Sequence, residues 1–422
     1  MSDRERASGR SRDPASRREG FRAAWALEAA EALVSWYARA RRPFPWRQDP
    51  TPYRVWVSEA MLQQTRVETV ARRFESFLAR FPSLEALAKA PLEEVLAEWS
   101  GLGYYRRARS LHEGARKVVE EHGGEFPRDF EAALRLPGIG PYTAAAILAI
   151  AYDIPVPVVD GNVERILCRT LRLAGNPRSG PVRAAIAAAL EAVLSRVRPS
   201  EFAEALMELG QLVCTPRDPD CAACPLEPFC EARRRGDVSA YPELPARRAA
   251  EIVELEALVF EDAGRLYVER RPEGEILAGL WMFPLEEAPR GGGRGLSTEF
   301  LRRVERRAGR KAEAVEPAGV VRHSVTFRRL RVRVFRARAA GPRARSSARG
   351  RWVAPEELGT SVPVPSLALK IAGSVQVLPP KEENAEGRFL SAPAPHPKAM
   401  GRAESLVRRF DKGPRPLDNQ GA

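Results

Sequence analysis

A chain of 422 residues with 44% hydrophobic content exceeds what one core of about 250 to 300 residues holds, so two folded units plus tails are expected. Its longest apolar run, Ala144 to Tyr152, falls far short of the ~20 residues of a membrane-spanning helix, which excludes that class. The net charge of +13 points to a polyanionic partner through phosphate neutralisation, although a simple bias towards arginine would also raise it, lysine supplying only seven of the 68 basic residues.

Residues 1–20, "MSDRERASGRSRDPASRREG", mix acids with arginine and have no apolar stretch. They predict a disordered basic tail rather than a secretory signal or transit peptide, and a cytoplasmic protein. Residues 21–235 read as helical almost throughout, with "FRAAWALEAAEALVSWYARA", "TPYRVWVSEAMLQQTRVETVARRFESFLARF", "SLEALAKAPLEEVLAEW" and "PVRAAIAAALEAVLSRV" each forming a helix. Residues 236–250, broken by Pro242 and Pro245, predict a linker. From Glu251, "IVELEALVFE", "GRLYVERR", "RRLRVRVFRARA" and "RGRWVAPEEL" alternate as strands, with one helix near Ser297 to Arg307, giving an α+β unit over residues 251–378. Residues 379–422 lack periodicity and predict a disordered tail.

Cys214, Cys221, Cys224 and Cys230 follow a C-x6-C-x2-C-x5-C spacing. Four thiols this close predict a loop wrapped around one metal centre. Both zinc and an iron–sulfur cube take four thiolates, and the single C-x2-C pair suits the irregular loop of the latter. Cys168 reads as a buried helix residue.

In "LPGIGPYTAAA", Gly138 and Gly140 permit positive φ and close backbone approach at a helix start, where N–H groups form an anion site. A tight turn between helices is the commoner explanation of such glycines. Asp160 of "VPVVDGNVERIL" is an N-cap by position, yet the apolar extended segment before it would hold the carboxylate partly desolvated. Glu59 of "VWVSEAMLQQT" lies among Val57, Ala60 and Met61, where burial raises a carboxyl's pKa and suits it to act as an acid.

In that order, "LPGIGPYTA", "VDGNVERIL" and the cysteine spacing resemble the helix-hairpin-helix DNA glycosylases, over roughly residues 25 to 235. "VSEAMLQQTRVETV" looks like the adenine DNA glycosylases of the MutY type, with their glutamate at Glu59 and paired glutamines at Gln63 and Gln64. The resemblance implies a [4Fe-4S] cluster on the four cysteines and double-stranded DNA holding A:8-oxoguanine or A:G mispairs as substrate. It implies that Glu59 protonates the leaving adenine, that Asp160 stabilises the oxocarbenium-like sugar, and that Tyr142 and Asn162 shape the site. Gln63, Gln64, Tyr104, Gly138 and Gly140 would meet DNA, with Arg106, Arg107 and Arg109 on phosphates. Where endonuclease III-type enzymes carry a Schiff-base lysine, this chain has Tyr142, which disfavours lyase activity. A lyase acting on oxidised pyrimidines and a lesion-binding module without turnover are the alternatives.

"RRPEGEILAGLWMFPLEE" resembles the Nudix-like C-terminal domain of that family, which reads 8-oxoguanine. In the helix where Nudix hydrolases place metal-binding glutamates, "RRVERRAG" has Arg303, Arg306 and Arg307, which cannot hold Mg²⁺ and suggest a basic helix facing DNA. Thr326 falls at the middle of the lesion-reading Phe-Ser-His triplet, here Val325-Thr326-Phe327. The expectation is a mainly α glycosylase domain with an iron–sulfur loop (214–230), then an α+β Nudix-like domain, in a monomer acting at the nucleoid and not at a membrane.

Overall fold

The computed structural model describes residues 14–246, 249–272, 274–275, 277–289, 295–340 and 350–376. The tail expected over 379–422 lies outside the described residues, as do residues 1–13 of the N-terminal tail. Helix α1 begins at Pro14, inside the stretch expected to be disordered. Among the described residues no helix is long and apolar enough to cross a membrane.

The first unit is helical: α1 (Pro14–Ala40), α2 (Pro52–Leu62), α3 (Val67–Arg80), α4 (Leu84–Lys89), α5 (Leu92–Glu98), α6 (Arg106–His122), α7 (Phe130–Leu134), α8 (Pro141–Tyr152), α9 (Gly161–Thr170), α10 (Gly180–Leu194), α11 (Pro199–Leu212) and α12 (Glu231–Arg235). These helices build two apolar cores. Helices α2 to α8 close one around Trp56, Phe74, Phe77, Trp99 and Leu111. Helix α1 and helices α9 to α12 close the other around Leu33, Ile166, Ile186 and Leu206. Each such side chain contributes roughly 1.5–3 kcal/mol by leaving water. Thr143 to Ile150 of α8 are all buried, because α8 packs on α2 on one side and on α11 of the other core on the other.

The expected single helix over 51–81 is two, broken at Gln63 to Arg66, where Gln64 takes φ 58°. The apolar period continues across the break, so the pattern does not mark it. "SLEALAKAPLEEVLAEW" likewise divides at Pro91, which offers no N–H to extend α4. The expected linker starts as a short 3-10 turn at Val238–Ala240, and Tyr241 packs into the second core.

The second unit contains β1 (Glu251–Asp262), β2 (Arg265–Arg270), β3 (Trp281–Met282), β4 (Leu285–Glu287), α13 (Thr298–Ala308), β5 (Lys311–Val325), β6 (Arg328–Ala340), β7 (Gly350–Val353) and α14 (Ser366–Ser374). Strands β1 and β6 pair in parallel at the centre, Leu255 opposite Val332, and the other pairings are antiparallel. Helix α13 covers one face through Phe300 and Val304 against Leu258 and Phe260. Helix α14 covers the other through Leu367 and Ile371 against a cluster holding Leu255, Ala257 and Val259. Leu255 to Phe260 are therefore buried on both faces, and the expected alternation fails in β1.

The basic helix expected to face DNA turns two arginines inward. Arg307 Nε donates to Glu269 Oε1 at 2.7 Å and Arg303 pairs with Glu286 and Glu299, while Arg302 and Arg306 are exposed. Arg307→Ala leaves the Glu269 carboxylate, 15% exposed, without its cation. It is expected to lower the stability of this unit by about 1 kcal/mol or more, read as an earlier urea midpoint in the Trp281 and Trp352 environment. An unchanged midpoint would show the pair to be neutral.

Candidate active site

Helix α2 starts at an N-cap made by Thr51, whose Oγ1 accepts from Arg54 N at 3.4 Å, with Pro52 as first helical residue. It carries Glu59 within the buried run Val55–Met61, and Glu59 itself is 6% exposed. Across the seam, Asp160 ends an extended stretch and caps α9. Its Oδ1 accepts from Asn162 N at 2.9 Å and Val163 N at 2.8 Å, and its Oδ2 accepts from Asn162 Nδ2 at 2.7 Å. The N-cap and the candidate catalytic position are thus the same residue.

Burial raises the Glu59 pKa to about 7, and the Asp160 charge adds to the rise; a hydrogen bond with Tyr142 and the Arg47 cation oppose it. Tyr142 stands against Glu59: its hydroxyl bonds Glu59 and approaches Met207 Sδ at 3.4 Å, and burial together with the charges of Glu59 and Asp160 pushes its own pKa up.

Two groups that act on Glu59, Arg47 and Glu204, carry no motif in the sequence. Arg47 is buried, bonding Glu208 at 2.9 Å and lying 3.6 Å from Glu204, which also accepts from Tyr37 Oη at 2.7 Å. A signal was available: Glu204 and Glu208 stand four residues apart in the otherwise apolar "FAEALMELG", and acids in so apolar a helix imply buried partners.

A groove of about 340 Å³ brings together Trp56, Gln63, Gln64, Tyr104, Arg106 and Gly138. Gln63 Nε2 reaches Thr143 Oγ1 at 3.5 Å, tying the end of α2 to the start of α8. Gln64 (φ 58°) and Tyr104 (φ 47°) are exposed and hold left-handed backbone, a conformation costly for side-chain-bearing residues. Gly138 requires glycine: φ is 77° and a Cβ would stand 2.5 Å from Ser110 Cβ. Gly140 does not, contrary to expectation, since its φ is −99° with open space around it, and it caps α8.

Arg107 and Arg109, expected on phosphates, are committed within the protein. Arg107 donates to backbone carbonyls of two loops, and Arg109 donates to Gly279 O at 2.8 Å. Thr326 is not among the residues lining the groove and is exposed at the β5–β6 turn with φ 53°.

Cys214, Cys221, Cys224 and Cys230 line one cavity with Ile166, Leu209, Val213 and Leu226. Arg169 Nη1 donates to Cys214 Sγ at 3.3 Å and to Thr215 O at 2.8 Å, a cation suited to thiolate charge. Among the described residues, no three His, Cys, Asp or Glu side chains converge on a single-ion position. Cys168 is buried in α9, apart from this set.

Residues 57–192 match the HhH-GPD superfamily of base excision DNA repair proteins, and residues 256–373 match the NUDIX domain. The adenine DNA glycosylase of Homo sapiens is 39% identical over 307 residues, covering 60% of this chain and 56% of its own length. That of Buchnera aphidicola subsp. Schizaphis graminum is 34% identical over 258 residues, covering 60% of this chain and 74% of its own. The chain belongs to the adenine DNA glycosylase family. It spans little more than half the length of the human and mouse relatives, 56% and 59%. Glu59, Asp160 and Tyr142 all lie inside its HhH-GPD match, and the four cysteines lie between the HhH-GPD and Nudix matches.

The folded protein holds the Glu59 proton to about pH 7, whereas an unfolded chain releases it near 4.5. Glu59 therefore costs stability progressively as pH rises between those values, and fully above the higher one. Glu59→Gln is expected to leave stability unchanged at acid pH and to raise it by roughly 1–3 kcal/mol at alkaline pH, measured by thermal melts across that range. A shift of equal size at both ends would contradict the buried-acid assignment.

Proposed function

We propose that this protein removes adenine mispaired with 8-oxoguanine or guanine from double-stranded DNA by hydrolysing the N-glycosidic bond, without strand cleavage. The observation that carries the reading is Glu59, a buried carboxyl bonded to Tyr142, whose burial and whose exposure to the Asp160 charge both favour the protonated form. The adenine is flipped from the stack at a cost of a few kcal/mol, with Gln64 and Tyr104 entering the space it leaves. Glu59 gives its proton to a ring nitrogen of the base; the C1′–N9 bond breaks and its electron pair leaves with adenine. Asp160 stabilises the oxocarbenium-like sugar, fixed in place by its Asn162 and Val163 bonds. Water then adds to C1′ and gives a proton to the Glu59 carboxylate, which restores the acid. Tyr142 orients Glu59 and supplies no amine. The only lysines between residues 21 and 250 are Lys89 and Lys117, on α4 and α6, which supports a monofunctional enzyme.

The donor set of four thiols and a neighbouring guanidinium fits a [4Fe-4S] cluster on Cys214, Cys221, Cys224 and Cys230. Bound there, it would order the 214–230 loop. Thr326 offers a hydroxyl to 8-oxoguanine from the Nudix-like domain. The protein works as a monomer on DNA of the cytoplasmic nucleoid.

Single-turnover assays on defined duplexes test the reading. Free adenine is expected from A:8-oxoguanine fastest, from A:G more slowly and from A:T not at all; no adenine from any duplex would overturn it. Asp160→Asn is expected to lose about 10³-fold or more in rate while still binding the duplex. The rate of the unmodified enzyme should fall as pH rises through about 7, as Glu59 loses its proton. Borohydride should trap no protein–DNA adduct, since capture would reveal a Schiff base. Purified protein should be brown and contain iron; colourless protein containing zinc would refute the cluster.

A further inference from the structure

The segment Tyr104–Arg109 is bonded in three directions, more than wedging into DNA requires. Tyr104, 42% exposed, faces the groove. Tyr105 points the opposite way, buried, its hydroxyl donating to Val364 O of the Nudix-like domain at 2.9 Å. Arg109 reaches the same domain at Gly279 O, and Leu280 of that domain packs into the α2–α8 core.

Between them stands Arg107. Its Nη1 donates to the carbonyls of Ala60 at 2.7 Å, Met61 at 2.8 Å and Gln63 at 2.5 Å. Its Nη2 donates to Thr65 Oγ1 at 3.0 Å and to the carbonyls of Leu102 at 3.0 Å and Gly103 at 2.9 Å. The first set lies at the C-terminal end of α2, where helical carbonyls lack intrahelical partners and the dipole favours a cation. The second joins Thr65, in the loop that follows α2, to Leu102 and Gly103 of the turn that presents Tyr104. The guanidinium also lies over the Trp99 and Tyr104 rings, at 5.5 and 5.6 Å from their centroids. A planar fork can bond two loops on opposite edges; a lysine ammonium, with three donors on one atom, cannot.

We infer that Arg107 is a positioning residue that locks the Gln63–Gln64 loop and the Tyr104 loop into one DNA-probing unit, which Tyr105 and Arg109 seat on the Nudix-like domain. Both exposed probes hold left-handed backbone, and without the clamp the Thr65 Oγ1 bond to Leu102 O, at 3.1 Å, is the direct tie that remains between their loops. The activity arm of the test rests on the adenine-excision reading; the exchange arm does not.

Amide hydrogen exchange of the full chain, for unmodified protein, Arg107→Lys and Tyr105→Phe, decides the matter. In Arg107→Lys, peptides covering 60–66 and 100–105 are expected to exchange together at least ~10-fold faster while α8 keeps its protection. Tyr105→Phe, which removes one hydroxyl and keeps the ring, is expected to move both loops in the same direction by less. Loosening of one loop alone, of neither, or of α8 equally would overturn the inference.

In single turnover, Arg107→Lys should lose about 10- to 100-fold in adenine release, the order of a displacement near 1 Å, with the pH midpoint unmoved because Glu59 is untouched. A moved midpoint, or an unchanged rate, would also overturn it. Unmodified enzyme that releases no adenine defeats the functional reading, and the exchange data then still decide the role of Arg107.

Discussion

A protonated carboxyl beside another carboxylate is the constraint on which this structure turns. Burial and the Asp160 charge drive the Glu59 pKa up in the same direction, and both effects cost folding free energy at neutral pH. The helical unit bears this by dividing the carboxylates between two cores, Glu59 with the helices around Trp56 and Asp160 with those around Ile166. Two carboxylates on one helix would be fixed at helical spacing. On separate cores they approach each other across a seam, free of that spacing. Helix α8 makes the seam rigid because it belongs to both sides, and it brings Tyr142 to the junction in its first turn.

The same arrangement links the carboxylate turn to the cysteine loop. Asn162, which bonds Asp160, accepts from Arg165 Nη2 at 2.9 Å, and Arg165 Nε donates to Cys214 O at 2.8 Å. Arg165 also reaches Gly210 O at 2.8 Å. A Cβ at Gly210 would stand 2.5 Å from Asn162 Cβ, so α11 approaches this turn only because residue 210 is glycine. The position of Asp160 is therefore set from outside its own helix, by an arginine that also holds the first cysteine of the loop.

Features with a local cause were legible in the sequence. The cysteine spacing, the hairpin glycine at 138 and the cap at Asp160 each follow from a few adjacent residues, and the structure places each accordingly. Features with a non-local cause were not. The break at Gln63 to Arg66 is invisible because apolar period and helix propensity run through it; the chain is held in its turn by Arg107, more than forty positions away. Strand β1 reads as alternating, yet it is buried on both faces because α13 and α14 arrive from later in the chain. Arg47 is silent in sequence because its carboxylate partners lie at Glu204 and Glu208.

The distribution of charge shows why a net charge of +13 is a poor guide to where DNA sits. In the Nudix-like domain the arginines of β6 are answered by acids of the parallel strand β1: Arg328 by Glu251, Arg331 by Glu254, Arg333 by Glu256 and Arg336 by Glu261. Arg303 and Arg307 are answered by Glu286 and Glu269. In the helical unit, Arg47 and Arg107 serve buried carboxylates and carbonyls. Much of the cationic inventory is thus paired within the fold, while the groove presents Gln63, Gln64, Tyr104 and a glycine backbone beside the exposed Arg106. The long-range field attracts a polyanion; on the adenine-excision reading, the amides and the aromatic ring beside Arg106 do the local probing. They can follow the shape and stacking of a base pair, to which a surface charge that sees only phosphate is blind.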